Sequence, residues 1–81
     1  MVNPVTPQWA FGDRVRKARR DMGWSQSLLA ERLTDRLGHT VSAKTVGAWE
    51  VAQHLPADVV DIARALEAIT EIPATWFLGL D

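Results

Sequence analysis

The chain has no cysteine and no tyrosine, and only two histidines among its 81 residues. Without cysteine, neither disulfides nor thiolate–zinc sites can staple the fold, so the core must hold itself. No apolar run is long enough to span a membrane, and no signal-peptide pattern is present. No Gly-rich phosphate loop occurs. No stretch alternates like a strand, and neither an internal repeat nor a low-complexity segment is found. His39 and His54 stand apart from any acid set with metal-ligand spacing, which makes them surface or loop residues rather than zinc ligands. Ser25 and Ser42 lack a glycine-flanked elbow and an assignable base. An enzyme is therefore the least expected class. No cofactor and no small-molecule substrate are expected.

What is present suits one small all-α domain. Hydrophobic residues make up 47% of the chain, too many for a disordered tail. Net charge is only −1, but it is divided unevenly. Residues 1–49 hold eight Lys or Arg against four acids, a balance of +4; residues 50–81 hold one against six, −5. A phosphate-binding face needs local positive charge rather than a basic average. Met1 to Trp9 carries two prolines and no charged side chain, and residues 1–10 are expected to be a flexible arm ahead of a domain over 11–81.

Five helices are expected. Phe11, Val15, Ala18 and Met22 form one apolar stripe, ended by Gly23. The second helix is capped by Ser25 and repeats Leu29, Leu33 and Leu37 every four residues, with Ala30 beside them, before the break Gly38-His39-Thr40. The third runs from Ser42 to about Glu50, with Val46 and Trp49 inward and Val41 just before the cap. The fourth is expected to open near Pro56, with Asp58 in its first turn and Val59, Ile62, Ala63 and Leu66 as its stripe. Glu67 to Ile72 reads as a connection or frayed helix end. Pro73 opens a last short helix carrying Trp76, Phe77 and Leu80, with one of the two aromatics in the core and the other in a dimer seam. A basic helix, a Ser-capped helix and, after a turn, another Ser-capped helix is the layout that places one helix in the DNA major groove.

On Arg19, Gly23, Ser25-Gln26, Leu29-Ala30, Leu33, Val41-Ser42, Thr45-Val46, Glu50 and the ending Ile62-Ala63-Arg64-Ala65-Leu66 with Trp76-Phe77-Leu78, the chain resembles the Cro/repressor-type (XRE) helix-turn-helix family. Its members are mostly phage and bacterial transcription regulators. The resemblance covers about residues 11–80. It implies a compact five-helix bundle of the lambda-repressor-like type, acting in the bacterial cytoplasm or nucleoid. The implied partners are a double-stranded DNA operator and a second copy of the chain, with no membrane.

The resemblance implies roles residue by residue. Gln26 would bind a DNA phosphate at a helix N-terminus. The helix at about 42–49 would enter the major groove, presenting Ser42, Ala43, Lys44 and Thr45, with Gly47 and Ala48 one turn on. Lys44 can donate to guanine, and the methyls of Ala43 and Thr45 can touch thymine; Gly47 and Ala48 cannot hydrogen-bond through side chains, so DNA shape must carry part of the recognition. Arg19 and Glu50 match positions that form a structural ion pair. Arg14, Arg16, Lys17, Arg20, Arg32 and Arg36 are candidate backbone contacts, with Arg16, Arg20 and Arg36 preferred. Three departures stand out. The link through Thr34 to His39 is about six residues longer than usual, which implies a longer second helix and loop. Val51 and Ala52 replace a polar residue and glycine, leaving Gln53 or His54 as substitutes for a phosphate contact. The connection over Glu67 to Ile72 is lengthened. Two other readings remain open: an antitoxin-type regulator that also holds a protein partner on Trp76 to Leu80, and an interaction module that has lost DNA binding.

Overall fold

The computed structural model describes residues 10–51 and 55–80. Among them the chain is all-α, with five helices and no strand: α1 (Phe11–Asp21), α2 (Gln26–Leu37), α3 (Ala43–Val51), α4 (Val59–Thr70) and α5 (Ala74–Phe77). None of these helices is long and apolar enough to cross a membrane. The arm expected over residues 1–10 lies, apart from Ala10, outside the described residues, as do Ala52, Gln53 and His54.

Local chemistry sets the helix ends. The Asp13 carboxylate accepts from the Ala10 N–H at 2.9 Å, satisfying a donor at the start of α1. Gly23, at φ 77°, turns the chain after α1, and the Trp24 N–H bonds back to the Arg19 carbonyl. Ser25 Oγ caps α2 by accepting from the Leu28 N–H at 3.0 Å. Gly38, at φ 82°, ends it. The longer link after α2 is not slack: Thr34 Oγ1 accepts from the Val41 N–H at 2.8 Å and donates to the Val41 carbonyl at 3.1 Å. One hydroxyl thus ties the end of the turn to α2. Ser42 Oγ then caps α3, accepting from the Thr45 N–H at 3.1 Å.

The core joins all five helices. Val15, Leu29, Leu33, Val46, Leu66 and Phe77 are its largest fully buried side chains. α2 packs on α3 and α4, α1 packs on α3, and α5 closes against α4 and α1. At one point the approach is closer than side chains permit. A Cβ on Gly12 would lie 1.8 Å from the Trp49 carbonyl oxygen, so the α1 and α3 backbones touch there.

Four expectations are corrected. Leu80 lies beyond α5, which ends at Phe77, and is exposed rather than carried on that helix. α4 starts at Val59, after a turn at Ala57 and Asp58, so Pro56 lies before the helix and Asp58 makes no side-chain cap bond. Glu67 to Thr70 is ordered helix rather than connection; Thr70 is buried, and its hydroxyl donates back to the Leu66 carbonyl at 2.7 Å. The stop falls at Glu71, which takes a left-handed φ of 65°. Met22 is exposed, because α1 ends at Asp21 and the chain leaves the apolar stripe there.

Candidate nucleic-acid interface

α3 is held by one end and one face. Val46 is fully buried, and Trp49 is half-buried with its ring edge-on to Phe11 at 6.2 Å between centroids. Glu50 completes the anchor. Arg19 Nε donates to Glu50 Oε2 at 2.7 Å and Arg19 Nη2 to Oε1 at 3.0 Å, a two-pronged pair whose third prong, Nη1, reaches the Trp24 carbonyl at 3.0 Å. The carboxylate side chain is only 4% exposed. Burial alone would raise the Glu50 pKa, but hydrogen bonds from Arg19 and Gln26, and the charges of Arg19 and Arg16, hold it below the ordinary value. The hydrogen bond to Glu50 pushes Arg19 up, against the effect of burial. The pair expected from the sequence is present, and its role is architectural.

Gln26, the first residue of α2, joins this network. Its Nε2 donates to Glu50 Oε1 at 3.1 Å, and its carboxamide lies against Gly47, whose Cβ position would be 3.4 Å from Oε1. The amide keeps a second N–H for an outside acceptor. The N-terminus of α2 and the outward side of α3 are therefore one continuous surface. Beyond it stand Lys44, Thr45 and Ala48, all exposed, with Ala43 and Gly47 half-exposed. The hydroxyls of Ser42 and Thr45 are 3.0 Å apart and bond each other, so both are engaged within the helix cap.

The basic residues divide. Arg16 and Arg20 are exposed on α1. Arg36 is exposed on the last turn of α2, where it lines a groove against α4. Three other candidates have partners within the fold. Arg14 Nη1 donates to the Trp76 carbonyl at 2.8 Å while its guanidinium lies 5.2 Å from the Trp76 ring centre, so it is an α1–α5 clasp rather than a free cation. Arg32 lies 4.8 Å over the Trp24 ring. Lys17 pairs with Asp21 at 2.8 Å, one helical turn on.

Gly12 and Thr34 were not singled out from the sequence, yet both set the position of α3. A glycine inside an otherwise regular basic helix was the available sign for Gly12. Thr34 carried none, since its partner is a backbone seven residues away. No group of three or more His, Asp or Glu side chains gathers as a metal site among the described residues. No family model matches the chain, and neither a curated protein nor a solved structure matches it significantly.

Proposed function

We propose that this chain is a sequence-specific DNA-binding transcriptional regulator of the Cro/repressor type, working in the bacterial cytoplasm or nucleoid. The single observation that carries this reading is the seating of the Gln26 amide on Gly47. It makes the α2 N-terminus and the outward side of α3 one surface. The α2 N-terminus offers free N–H groups and a half-satisfied amide, a natural seat for a backbone phosphate. The outward side of α3 is small and uncluttered, and Lys44 supplies its positive charge. In the major groove Lys44 would donate to guanine, while Ala43, Thr45 and Ala48 would make apolar contacts. Arg16 and Arg20 on α1 would meet phosphates. Such sparse readout calls for DNA shape and a homodimer spanning two half-sites one helical turn apart.

The antitoxin-type alternative needs a protein-binding surface at the C-terminal end. Phe77 is buried and Trp76 is held under Arg14, while Leu80, 71% exposed, is the large apolar side chain left open there among the described residues. That is a small platform for a partner.

Fluorescence anisotropy with labelled DNA from around its own gene, read at several salt concentrations, tests the proposal. Salt-sensitive binding to one fragment, weakened in Lys44→Ala and Gln26→Ala, is the expected result. A folded protein that binds no fragment at any salt would sink it.

A further inference from the structure

We propose that the groove between α2 and α4 binds a phosphate group, held by Arg36, His39 and Arg64. The groove has a volume of about 320 Å³ and is lined by these three residues with Leu37, Asp61 and Ala65. Three independent pieces of backbone deliver the three donors. Arg36 comes from the last turn of α2, His39 from the turn beyond Gly38, and Arg64 from the middle of α4.

These donors are unspent. Among the described residues the ion pairs are Lys17–Asp21 and Arg19–Glu50, and no side-chain hydrogen bond involves Arg36, His39 or Arg64. Asp61 lines the same groove without pairing with either guanidinium. The helix dipole accounts for one cation at the end of α2. It does not account for an arginine brought to the same place by another helix. Arg36 and Arg64 together outweigh the single carboxylate of Asp61, which pairs with neither, so the lining carries net positive charge that attracts a bound anion.

The chemistry selects phosphate. Guanidiniums present planar pairs of N–H donors that match two oxygens of a phosphate, and an imidazole N–H can serve a third. Leu37 and Ala65 give the groove an apolar floor, which strengthens charged hydrogen bonds by excluding water from one side. The turn bearing His39 is fixed rather than loose, because Thr34 clamps both backbone groups of Val41. The neighbouring Arg32 is held over Trp24 and is not part of the set.

The phosphate could come from a DNA backbone flanking the α3 contact, or from a free phosphorylated small molecule. The first source rests on the function proposed above; phosphate binding itself does not. The experiment therefore has two arms, using the full chain. In the first, inorganic phosphate is titrated against chloride at equal ionic strength, and backbone amide NMR signals are followed. Saturating shifts confined to residues 36–40 and 61–65 are expected. They should require at least about tenfold more phosphate in the R36Q/R64Q double variant, which loses its charge-assisted donors. In the second, the salt dependence of DNA binding is compared between the parent and that variant.

Saturation together with a salt slope reduced by about 1 assigns the site to the DNA backbone. Saturation with an unchanged slope, or with no DNA binding at all, assigns it to a free phosphorylated ligand; the latter result sinks the regulator reading and leaves this site standing. Shifts that never saturate, or that spread over α1 as well, overturn the site even if DNA binds. Should the double variant fail to fold, the titration of the parent decides alone.

Discussion

The two sides of α3 contrast sharply. The inward side and the C-terminal end are crowded: Val46 is fully buried, Trp49 packs on Phe11, its carbonyl touches Gly12, and Glu50 takes three hydrogen bonds. The outward side carries Ala43, Lys44, Thr45, Gly47 and Ala48, with exposed Val51 at its end, and no side chain there is larger than Lys44. One side is closely specified in position, and the other is left nearly bare. A surface helix that only needed solubility would carry more charge outward. Bareness beside a rigid anchor suits a helix whose place is fixed so that its outer side can approach something closely.

The sharpest way to break the anchored side is Gly12→Ala. The new methyl would collide with backbone, not with a side chain that can swing away. Separating the two helices enough to admit it should cost about 3 kcal/mol, at the upper end for overpacking. A small domain with limited total stability would lose most of its melting transition. Thermal denaturation followed by circular dichroism reads this directly. An unchanged melting temperature would mean that α1 and α3 are not in backbone contact.

Glu50→Gln comes next. It leaves the Arg19 charge, 14% exposed on its side chain, without its partner. The expected loss is about 2–4 kcal/mol at neutral pH, near the range for breaking one side of a buried pair. The pH dependence follows from the lowered Glu50 pKa. A carboxylate whose folded pKa lies below its unfolded value stabilises above that unfolded value, near 4.5, and the contribution fades as pH falls through the folded pKa. The parent should thus lose this contribution as pH falls below about 4.5. The Glu50→Gln variant should be less stable at neutrality and flatter across that window. Parallel acid curves for the two proteins would show that folding does not lower the Glu50 pKa.

Much of this contrast was legible in the sequence, because its signals are local or periodic. Ser25 and Ser42 mark helix starts by capping, Gly23 and Gly38 mark stops, and Val15, Leu29, Leu33 and Val46 fall on the stripes that became core. The Arg19–Glu50 pair was expected only through the family resemblance, since nothing in a spacing of 31 residues requires contact. Long-range backbone geometry stayed hidden. The Gly12–Trp49 approach depends on how two helices cross, and the Thr34 clamp depends on where a turn returns. The ends of the fourth helix, Val59 and Thr70, are hidden from the sequence for a related reason. Pro56 is compatible with a first turn but does not compel one, and a stop at Glu71 in the left-handed region defeats the rule that glycine occupies that place. Arg14 and Arg32 looked like free cations because aromatic partners contributed by other segments cannot be read from charge alone.

Lys44→Ala turns to the bare side. The Lys44 side chain is exposed and makes no hydrogen bond within the described residues, so stability should stay within about 0.5 kcal/mol. If the helix reads a groove, binding to the preferred DNA fragment should weaken by about 1–3 kcal/mol, with lost preference at one base pair. Anisotropy against the preferred fragment and a single-base variant of it separates that outcome from a mere phosphate contact, which would weaken both DNAs alike.

The smallest effect sharpens the comparison most. Gly47 lies inside α3 with ordinary helical backbone, where alanine is favoured by close to about 1 kcal/mol on intrinsic propensity. The added methyl would sit 3.4 Å from Gln26 Oε1, ordinary contact with the movable end of a side chain. The fold thus has no evident need for glycine here, and Gly47→Ala should raise stability by about 0.5–1 kcal/mol. The same methyl narrows the space between the Gln26 amide and whatever α3 approaches. Melting temperature and DNA affinity should therefore move in opposite directions, the first up and the second down. If both rise, the bare side is not an approach surface. If stability falls instead, the glycine is required by the Gln26–Glu50 network, and the division between an anchored side and a free side must be redrawn to put Gly47 with the anchor.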